Sequence, residues 1–331
     1  MEVCGTHTHA IGRGGLRSLL PEAVELVSGP GCPVCVTPNG FLDAAIEIGR
    51  RYNPIITTFG DMLKVPGSRS SLEREKAEGL DVRTLYSPLE ALNLAKRNLD
   101  REVIFLGVGF ETTAPTIAAC VAKAGRENIG NFSVLTAHKL IPPALHALLD
   151  AGDTTVNGFI LPGHVSAILG VEPYRDVAEG RGVPCVIAGF EPFDILEGVL
   201  RLLKQIASGE ASVEIQYSRC VRPGGNPAAR ALMEDVFAVE DTEWRGLGVI
   251  PKSGLGVSDK YAEFDAAQKL PVEIPPPVEP RGCRCGDVLR GVIQPPECPL
   301  FGRSCAPGNP IGSCMVSSEG ACAAHYRYDF A

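Results

Sequence analysis

The sequence lacks long apolar runs, basic clusters and a leader pattern at its start, and each absence narrows the class of protein. The longest strongly apolar run covers residues 103–110, well short of the ~18 residues that a membrane-spanning helix needs. The start has an acid at position 2 and neither the basic nor the apolar region of a signal peptide, so we expect a cytoplasmic protein. Asp and Glu outnumber Lys and Arg by 39 to 31 without any basic block, so neither nucleic acid nor a membrane is an expected partner.

What the sequence does contain is enough apolar content for a large core. Its 331 residues are 45% hydrophobic and 21% charged, which is typical of a globular chain of about two domains. Apolar runs that end at Gly, Pro or a polar turn predict strands at 55–59, 103–108, 132–136, 158–161 and 184–188. Helix-like segments follow several of them, at 37–51, 88–98, 114–123, 142–149 and 192–206. This alternation predicts an α/β fold with parallel sheets.

Three turn signals recur in the same order along the chain. The strings at 3–7, 29–32 and 58–60 are followed, at similar distances, by strings at 134–138, 161–164 and 188–190. Glycine-rich turns shared by any two α/β stretches are the alternative explanation. We predict two similar α/β domains, residues 1–127 and 128–270, whose parallel sheets face a cleft where ligands bind. The proline-rich residues 271–331 are predicted to form a small loop-rich C-terminal domain.

Twelve cysteines are too many for core packing alone in a chain predicted to be cytoplasmic, where stable disulfides are rare. Cys120, Cys185 and Cys220 stand alone among small apolar residues and are predicted to be core residues. The other nine fall into two groups at the two ends of the chain, Cys4, Cys32 and Cys35 in the first and Cys283, Cys285, Cys298, Cys305, Cys314 and Cys322 in the second.

The spacing in the C-terminal group favours an iron–sulfur cluster. Cys298, Cys305, Cys314 and Cys322 are separated by six, eight and seven residues, and structural zinc sites usually have paired ligands two to four residues apart. A four-iron cluster accepts ligands from loops of several directions. Zinc and disulfides remain the alternatives. Cys283 and Cys285, one residue apart, are predicted to be auxiliary.

The N-terminal group combines a C-x-x-C pair with a thiol and two imidazoles. Cys32 and Cys35 precede a predicted helix, whose dipole stabilises a thiolate, so the pair suits a reversible disulfide. Half a zinc site and two idle thiols are the alternatives. In an extended Cys4–His9 string, Cys4 lies on one side of the chain and both His7 and His9 on the other. Cys4 is soft enough to hold low-spin iron, and a neutral histidine can ligate or move protons.

Glu111 is a further candidate. It lies in Gly107-Val-Gly-Phe-Glu-Thr-Thr113, which follows a predicted strand and opens a helix but lacks the third glycine and the lysine of phosphate-binding motifs. A carboxyl group in a cleft can act as acid or base. The competing interpretation is a carboxylate that accepts backbone amides at a helix N-terminus.

Several longer strings resemble the HypD family of [NiFe]-hydrogenase maturation factors. They include MEVCGTHTHAI, SGPGCPVCVTP, TFGDMLKVPGS, GFETTAPT, PGHVSAILG and the tail ECPLFGRSCAPGNPIGSCMVSSEGACAAHYRY. The resemblance covers nearly the whole chain. It implies two related α/β domains, a small domain with a [4Fe-4S] cluster, and a scaffold role in assembling the transient Fe(CN)2CO iron. It also implies a HypC-type chaperone and a HypE-type carbamoyl dehydratase as partners, and transfer of the iron unit to the hydrogenase large subunit.

The resemblance also assigns roles to individual residues. It implies that Cys4 holds the iron jointly with a HypC cysteine, with His7 and His9 in the same motif, and that Cys32 and Cys35 are redox-active. It implies the cluster ligands Cys298, Cys305, Cys314 and Cys322. Members usually carry a few dozen residues before the string that begins at Met1. We hypothesise that cluster electrons reach the Cys32 and Cys35 pair and then the cleft at Cys4. An iron–sulfur-dependent reductase of external protein disulfides, with an exposed thiol pair, is the alternative function, and a purely structural thiol or zinc scaffold is a third.

Overall fold

The computed structural model describes residues 1–153 and 155–330. The strands, in chain order, are β1 (Ile55–Thr58), β2 (Val82–Thr84), β3 (Val103–Gly107), β4 (Phe132–Thr136), β5 (His138–Lys139), β6 (Phe159–Pro162), β7 (Cys185–Ala188), β8 (Val213–Ile215), β9 (Phe237–Trp244) and β10 (Gly248–Val257). The α-helices are α1 (Gly5–Arg13), α2 (Leu16–Leu19), α3 (Pro33–Val36), α4 (Asn39–Tyr52), α5 (Leu72–Ala77), α6 (Pro88–Arg97), α7 (Ala114–Arg126), α8 (Ile141–Ala151), α9 (Gly163–Leu169), α10 (Pro192–Ser208), α11 (Pro227–Val236), α12 (Ala266–Lys269), α13 (Cys285–Leu289) and α14 (Ala321–His325).

The first sheet is parallel and has the strand order β2-β1-β3-β4. In its register Ile56 lies opposite Val82 and Ile55 opposite Val103. Every residue of β1 and β3 is buried, because helices cover the sheet and its central strands need apolar side chains on both faces. This confirms the predicted α/β class.

The second sheet is also parallel, with the order β6-β7-β8. The N-terminal segment adds to it, since Glu2 makes isolated parallel bridges to Ile160 and to Ser28. Residues before the first sheet thus extend the second one. In addition, β4 pairs with β3 in the first sheet. Neither pairing follows the division at residues 127 and 128, which stays a prediction.

A third sheet was not predicted, and it is antiparallel. It has the order β5-β10-β9, with Leu255 of β10 opposite both His138 and Val239. The strand β9 reads FAVEDTEW and exposes most of its residues, so it lacks the continuous apolar run that marks the buried parallel strands. The sequence therefore gave no strand signal here.

The predicted long helices are present, and prolines stand at the starts of two of them. Ser87 caps α6 by accepting the amide N–H of Leu89, with Pro88 at the first helical position. At α4 the cap is Pro38, and the Thr37 hydroxyl before it donates to the Pro33 carbonyl at 2.8 Å.

The C-terminal segment packs onto the α/β body through short helices and turns. One core cluster contains both Ile104 of the first sheet and Cys314 of the tail. A second cluster joins Ile11 of α1 to Val186 of β7 and to α10. Across the described residues, no helix combines the length and the apolar character needed to cross a bilayer.

Candidate functional site

Loops from several chain segments meet at the carboxyl edge of the second sheet. The carboxyl ends of parallel strands share an edge of the sheet, so the residues that directly follow them lie close together. Each parallel segment of this sheet is followed by one residue of interest. Cys4 follows the bridge at Glu2, Cys32 follows Ser28, His164 follows β6, Phe190 follows β7 and Tyr217 follows β8. The fold therefore brings the two N-terminal cysteine motifs together.

Cys4 lies at the N-terminus of a helix, so the extended Cys4–His9 string expected from the sequence is wrong. It caps α1 with φ −151°, and its side chain is half-buried. Burial raises the pKa of the thiol to about 12, although the amides of His7 and Thr6 act in the opposite direction. The Gly31 carbonyl accepts the N–H of Gly5 at 2.8 Å, which fixes the C-x-x-C loop against this helix start. The free Cys4 thiol is protonated at neutral pH.

A buried glutamate lies under Cys4. The Glu2 carboxyl accepts the Thr8 hydroxyl at 2.7 Å and the Cys4 amide N–H at 3.4 Å. Burial raises the pKa of Glu2 to about 7, against the effect of its hydrogen bonds. Glu2 therefore ties the first turn of α1 to the edge of the second sheet, and nothing in its sequence position indicated this role.

His7 is completely buried and neutral. Its Nε2 lies 2.8 Å from the Gly189 carbonyl, which can only accept, so Nε2 carries the proton and Nδ1 keeps its lone pair. Nδ1 is buried without a hydrogen-bond partner among the described residues. Burial lowers the pKa of His7 to about 4. The ring of Phe190 lies between His7, at 4.7 Å, and the exposed His164, at 4.2 Å.

His9 contacts the C-terminal segment. Its Nδ1 donates to the Ser318 carbonyl at 3.4 Å, and its Nε2 is 3.3 Å from the Tyr328 hydroxyl. Both ring nitrogens are occupied by these contacts, so His9 holds the tail against α1.

Cys32 and Cys35 form a disulfide with Cα atoms 5.2 Å apart. Cys32 caps the short helix α3, and the amide nitrogen of Cys35 lies 3.3 Å from its sulfur. The two residues are only 3% and 0% exposed, so the exposed thiol pair assumed for a reductase of external disulfides is not found.

The tail cysteines line one small cavity. Its wall contains all six of them, Cys283, Cys285, Cys298, Cys305, Cys314 and Cys322. As the described side chains stand, no three His, Cys, Asp or Glu residues are arranged around a single metal ion. A set of soft sulfur donors around one cavity fits an iron–sulfur cluster chemically.

Ser313 connects this cavity to the disulfide. Its buried hydroxyl donates to the Cys35 carbonyl at 2.8 Å and lies 3.9 Å from the Cys285 sulfur. The Cys35 sulfur is in turn 4.0 Å from the Ser313 carbonyl. One residue thus touches both thiol regions, and no sequence pattern indicated it.

The tail also contributes Glu319 to the surroundings of Cys4. Glu319 accepts the Thr6 hydroxyl at 2.7 Å and packs on Gly5, where an added Cβ would lie 2.5 Å from the Cβ of Glu319. Its charge is among the causes that raise the pKa of Cys4. A glutamate among serines and cysteines carried no distinguishing pattern, so sequence reasoning missed it.

Glu111 is buried and caps a helix, although a different one from that expected. Its Oε1 accepts the N–H of Ile141 at the start of α8, while Oε2 is buried without a partner among the described residues. Burial raises the pKa of Glu111 to about 7. His138 is also buried, packs on Phe237 with ring centroids 5.0 Å apart, and has its pKa lowered to about 3 by burial.

The three isolated cysteines differ from one another. Cys120 and Cys185 are buried, as predicted, at 3% and 0% exposure. Cys220 is exposed, so its prediction as a core residue is wrong. It follows the exposed Arg219 in a loop beyond β8, where the chain has left the sheet.

Comparisons with known proteins give one consistent result. The HypD family model, described as "Hydrogenase formation hypA family", matches residues 1–329. The "Hydrogenase maturation factor HypD" of Azotobacter vinelandii is 50% identical over 99% of this chain and 88% of its own length. The factors of the same name from Cupriavidus necator and Escherichia coli are 46% and 48% identical over 99% of this chain, and 89% and 88% of their own lengths.

Proposed function

The chain belongs to the HypD family of hydrogenase maturation factors, and from this premise we propose that it is the scaffold on which the Fe(CN)2CO group of a [NiFe]-hydrogenase is assembled. The assembly involves a HypC-type chaperone and a HypE-type carbamoyl dehydratase. The finished iron unit then passes to the hydrogenase large subunit.

One observation carries this proposal, namely that three separate thiol-bearing parts of the chain meet. The Cys4 helix start is hydrogen-bonded to the loop before Cys32, through Gly5 and Gly31. Ser313 of the tail contacts Cys35. An iron-assembly scaffold needs a soft iron ligand and reducing equivalents at one place, and this arrangement supplies both kinds of residue.

Cys4 is the residue that holds the iron substrate in this proposal. Because burial keeps its pKa near 12, the thiol must release its proton when iron binds. The carboxyl group of Glu2, which accepts the Cys4 amide N–H at 3.4 Å and has its pKa raised to about 7 by burial, is a nearby group that can take up a proton. The HypC cysteine completes the coordination from the partner's side.

The tail cysteines are proposed to hold a [4Fe-4S] cluster, with Cys298, Cys305, Cys314 and Cys322 as its ligands. Such a cluster supplies one-electron chemistry when it is bound. Cys283 and Cys285 share the same cavity wall and stay auxiliary in this proposal.

The Cys32 and Cys35 pair stores two electrons. Its disulfide takes up two electrons and two protons to give two thiols, and the reverse reaction releases them. The pair is buried, so it exchanges electrons with neighbours inside the protein and not with external protein disulfides. This burial argues against the reductase alternative.

The experiment is infrared spectroscopy of the HypC complex purified anaerobically, comparing wild type with Cys4→Ala and Cys32→Ser. We expect Cys4→Ala to abolish the cyanide and carbonyl bands while iron and acid-labile sulfide stay at about four each per chain. Cys32→Ser should block hydrogenase maturation with the same iron and sulfide content.

Cys220→Ala is the matched control, because it removes an exposed cysteine outside both thiol regions and should leave the bands unchanged. Bands that persist in Cys4→Ala would remove Cys4 from the iron site. Normal maturation in Cys32→Ser would remove the redox role of the pair.

A further inference from the structure

An arginine is buried at the turn between β9 and β10. The Arg245 side chain is 2% exposed; its Nε donates to Glu279 at 3.2 Å, and its Nη1 is 3.5 Å from the Pro66 carbonyl. Nη2 is buried with no hydrogen-bond partner in the part of the chain that the structure describes. Glu279 is 59% exposed, so water screens its charge. A buried guanidinium with only an exposed counter-charge is unfavourable unless another anion lies close by.

The surroundings of Arg245 place it behind the wall of the cysteine cavity. Its backbone N–H donates to the carbonyl of Val36, the last residue of α3, at 2.8 Å. The next residue, Gly246, packs so closely on Gly286 that a Cβ there would lie 2.5 Å from the Gly286 Cα. Gly286 directly follows Cys285. Arg245 therefore lies between the disulfide helix and the start of the cysteine-rich tail.

A second arginine, Arg284, lines the cysteine cavity itself. It is exposed, and its Nε donates to the Asp287 carboxylate at 2.6 Å, so its charge is already paired. Arg245 is by contrast buried, and its Nη2 has no partner among the described residues. A negative charge held in the adjacent cavity would therefore stabilise the Arg245 guanidinium.

We propose that Arg245 is the fixed cation that compensates the anionic cluster held in the cysteine cavity and raises its reduction potential. The inference rests on the proposed cluster. Reduction adds one electron to the cavity, and a buried cation nearby stabilises the more negative state, since the interior screens charge poorly. Loss of the cation therefore shifts the equilibrium towards the oxidised cluster.

The test compares the full chain, purified anaerobically, as wild type, Arg245→Met, Arg245→Lys and Arg97→Met. Methionine keeps much of the side-chain volume without the charge, and lysine keeps the charge. Arg97 is an exposed arginine at the end of α6 and controls for loss of one positive charge. The readout is the midpoint potential of the cluster in a redox titration followed by electron paramagnetic resonance.

We expect Arg245→Met to lower the equilibrium constant for reduction at least tenfold, which is about 59 mV for one electron. Arg245→Lys and Arg97→Met should stay within threefold of wild type. Iron and sulfide per chain are the second readout. If Arg245→Met assembles no cluster, full occupancy in Arg245→Lys and loss in Arg245→Met would show the same dependence on charge.

Two results overturn the inference in different ways. A loaded Arg245→Met protein with the wild-type potential would refute the role of Arg245 and leave the cluster intact. Wild-type protein without iron and sulfide would refute the proposed cluster, and the inference would fail with it. Equal loss of cluster in the methionine and lysine variants would show that Arg245 acts through packing alone.

Discussion

The carboxyl edges of the two parallel sheets have the same architecture and different chemistry. The first edge borders an open cavity of about 390 Å³ whose lining includes Pro33, Val34, Phe59 and Tyr86, so it is largely apolar. The second edge carries the rings of His7, Phe190 and His164, which pack against one another at a tilt, together with the Cys4 helix start. Strand topology therefore decides where a site can form, and the loops decide which chemistry it has.

The same contrast holds for one buried carboxyl group near each edge. Glu111, in the loop after β3, accepts a single amide and has its pKa raised to about 7 by burial. Asp194, at the start of α10 after β7, is bound by Arg219, whose hydrogen bond lowers the pKa of Asp194 to about 2. Near neutral pH the Asp194 carboxyl group is therefore ionised, whereas Glu111 still binds a proton for part of the time.

The largest expected change in stability comes from replacing a glycine beside Cys4. A matching glycine substitution at the first edge shows how tightly each edge is packed. In Gly31→Ala, the new Cβ would lie 2.1 Å from the Cys4 nitrogen, so backbone must move. We expect a loss of about 3 kcal/mol or more in the free energy of unfolding, measured by denaturant titration. Gly60→Ala, at the first edge, meets nothing within 4 Å and should change stability by less than about 0.5 kcal/mol. Equal effects would contradict the close packing at Cys4.

The next largest expected effect is on the pH dependence of folding stability, and it concerns Glu111 at the first edge. The unfolded Glu111 loses its proton near its usual pKa of 4.5, while the folded residue keeps it to about pH 7. Stability therefore falls between these pH values, by up to about 3 kcal/mol. Glu111→Gln cannot lose a proton, so it should match wild type near pH 4.5 and exceed it at pH 8. The same pH slope in both proteins would refute this. Glu73→Gln, at an exposed position, is the control.

The smallest expected change in stability concerns Asp194 at the second edge, and its pH dependence is opposite to that of Glu111. Because the pKa of Asp194 is lowered from 3.8 to about 2, its contribution to stability is present above pH 4 and is lost as the pH falls towards 2. We expect Asp194→Asn to cost about 1 to 2 kcal/mol at pH 7 and much less near pH 2, by thermal unfolding. Asp150→Asn breaks an exposed ion pair with Arg181 and should cost under about 1 kcal/mol. An Asp194→Asn cost that does not change with pH would argue against a charged group here.

The sequence predicted the buried parallel strands well and the exposed elements poorly. The run Val103–Gly107 is entirely apolar or small and buried, so composition alone marks it. The strand Val213–Ile215 has only three residues around a charged Glu214, and the hairpin of β9 and β10 is stabilised by pairing and packing that no local pattern reveals.

Sequence patterns singled out the cysteines of the candidate site but not the other residues that surround them. Thiols are rare enough that their spacing stands out, whereas Glu319, Ser313 and Arg245 are common residue types. Their roles arise from tertiary contacts, such as the Thr6 hydroxyl on Glu319, that join residues far apart in sequence. The helical start at Cys4 was missed because glycine and threonine have low helix propensity, and packing against the second sheet overrides it.

The pairing of the N-terminus with the second sheet has a consequence for biosynthesis. The Met1 amine is hydrogen-bonded to the Gly158 carbonyl, 157 positions away. During translation at 5–20 residues per second, the partner of this segment emerges roughly 8 to 30 s after the segment itself. Throughout that interval the nascent chain presents Cys4 and Cys32 without the sheet that later surrounds them. The order of synthesis thus leaves the thiols open to chaperones, oxidants or metal ions before the fold is complete.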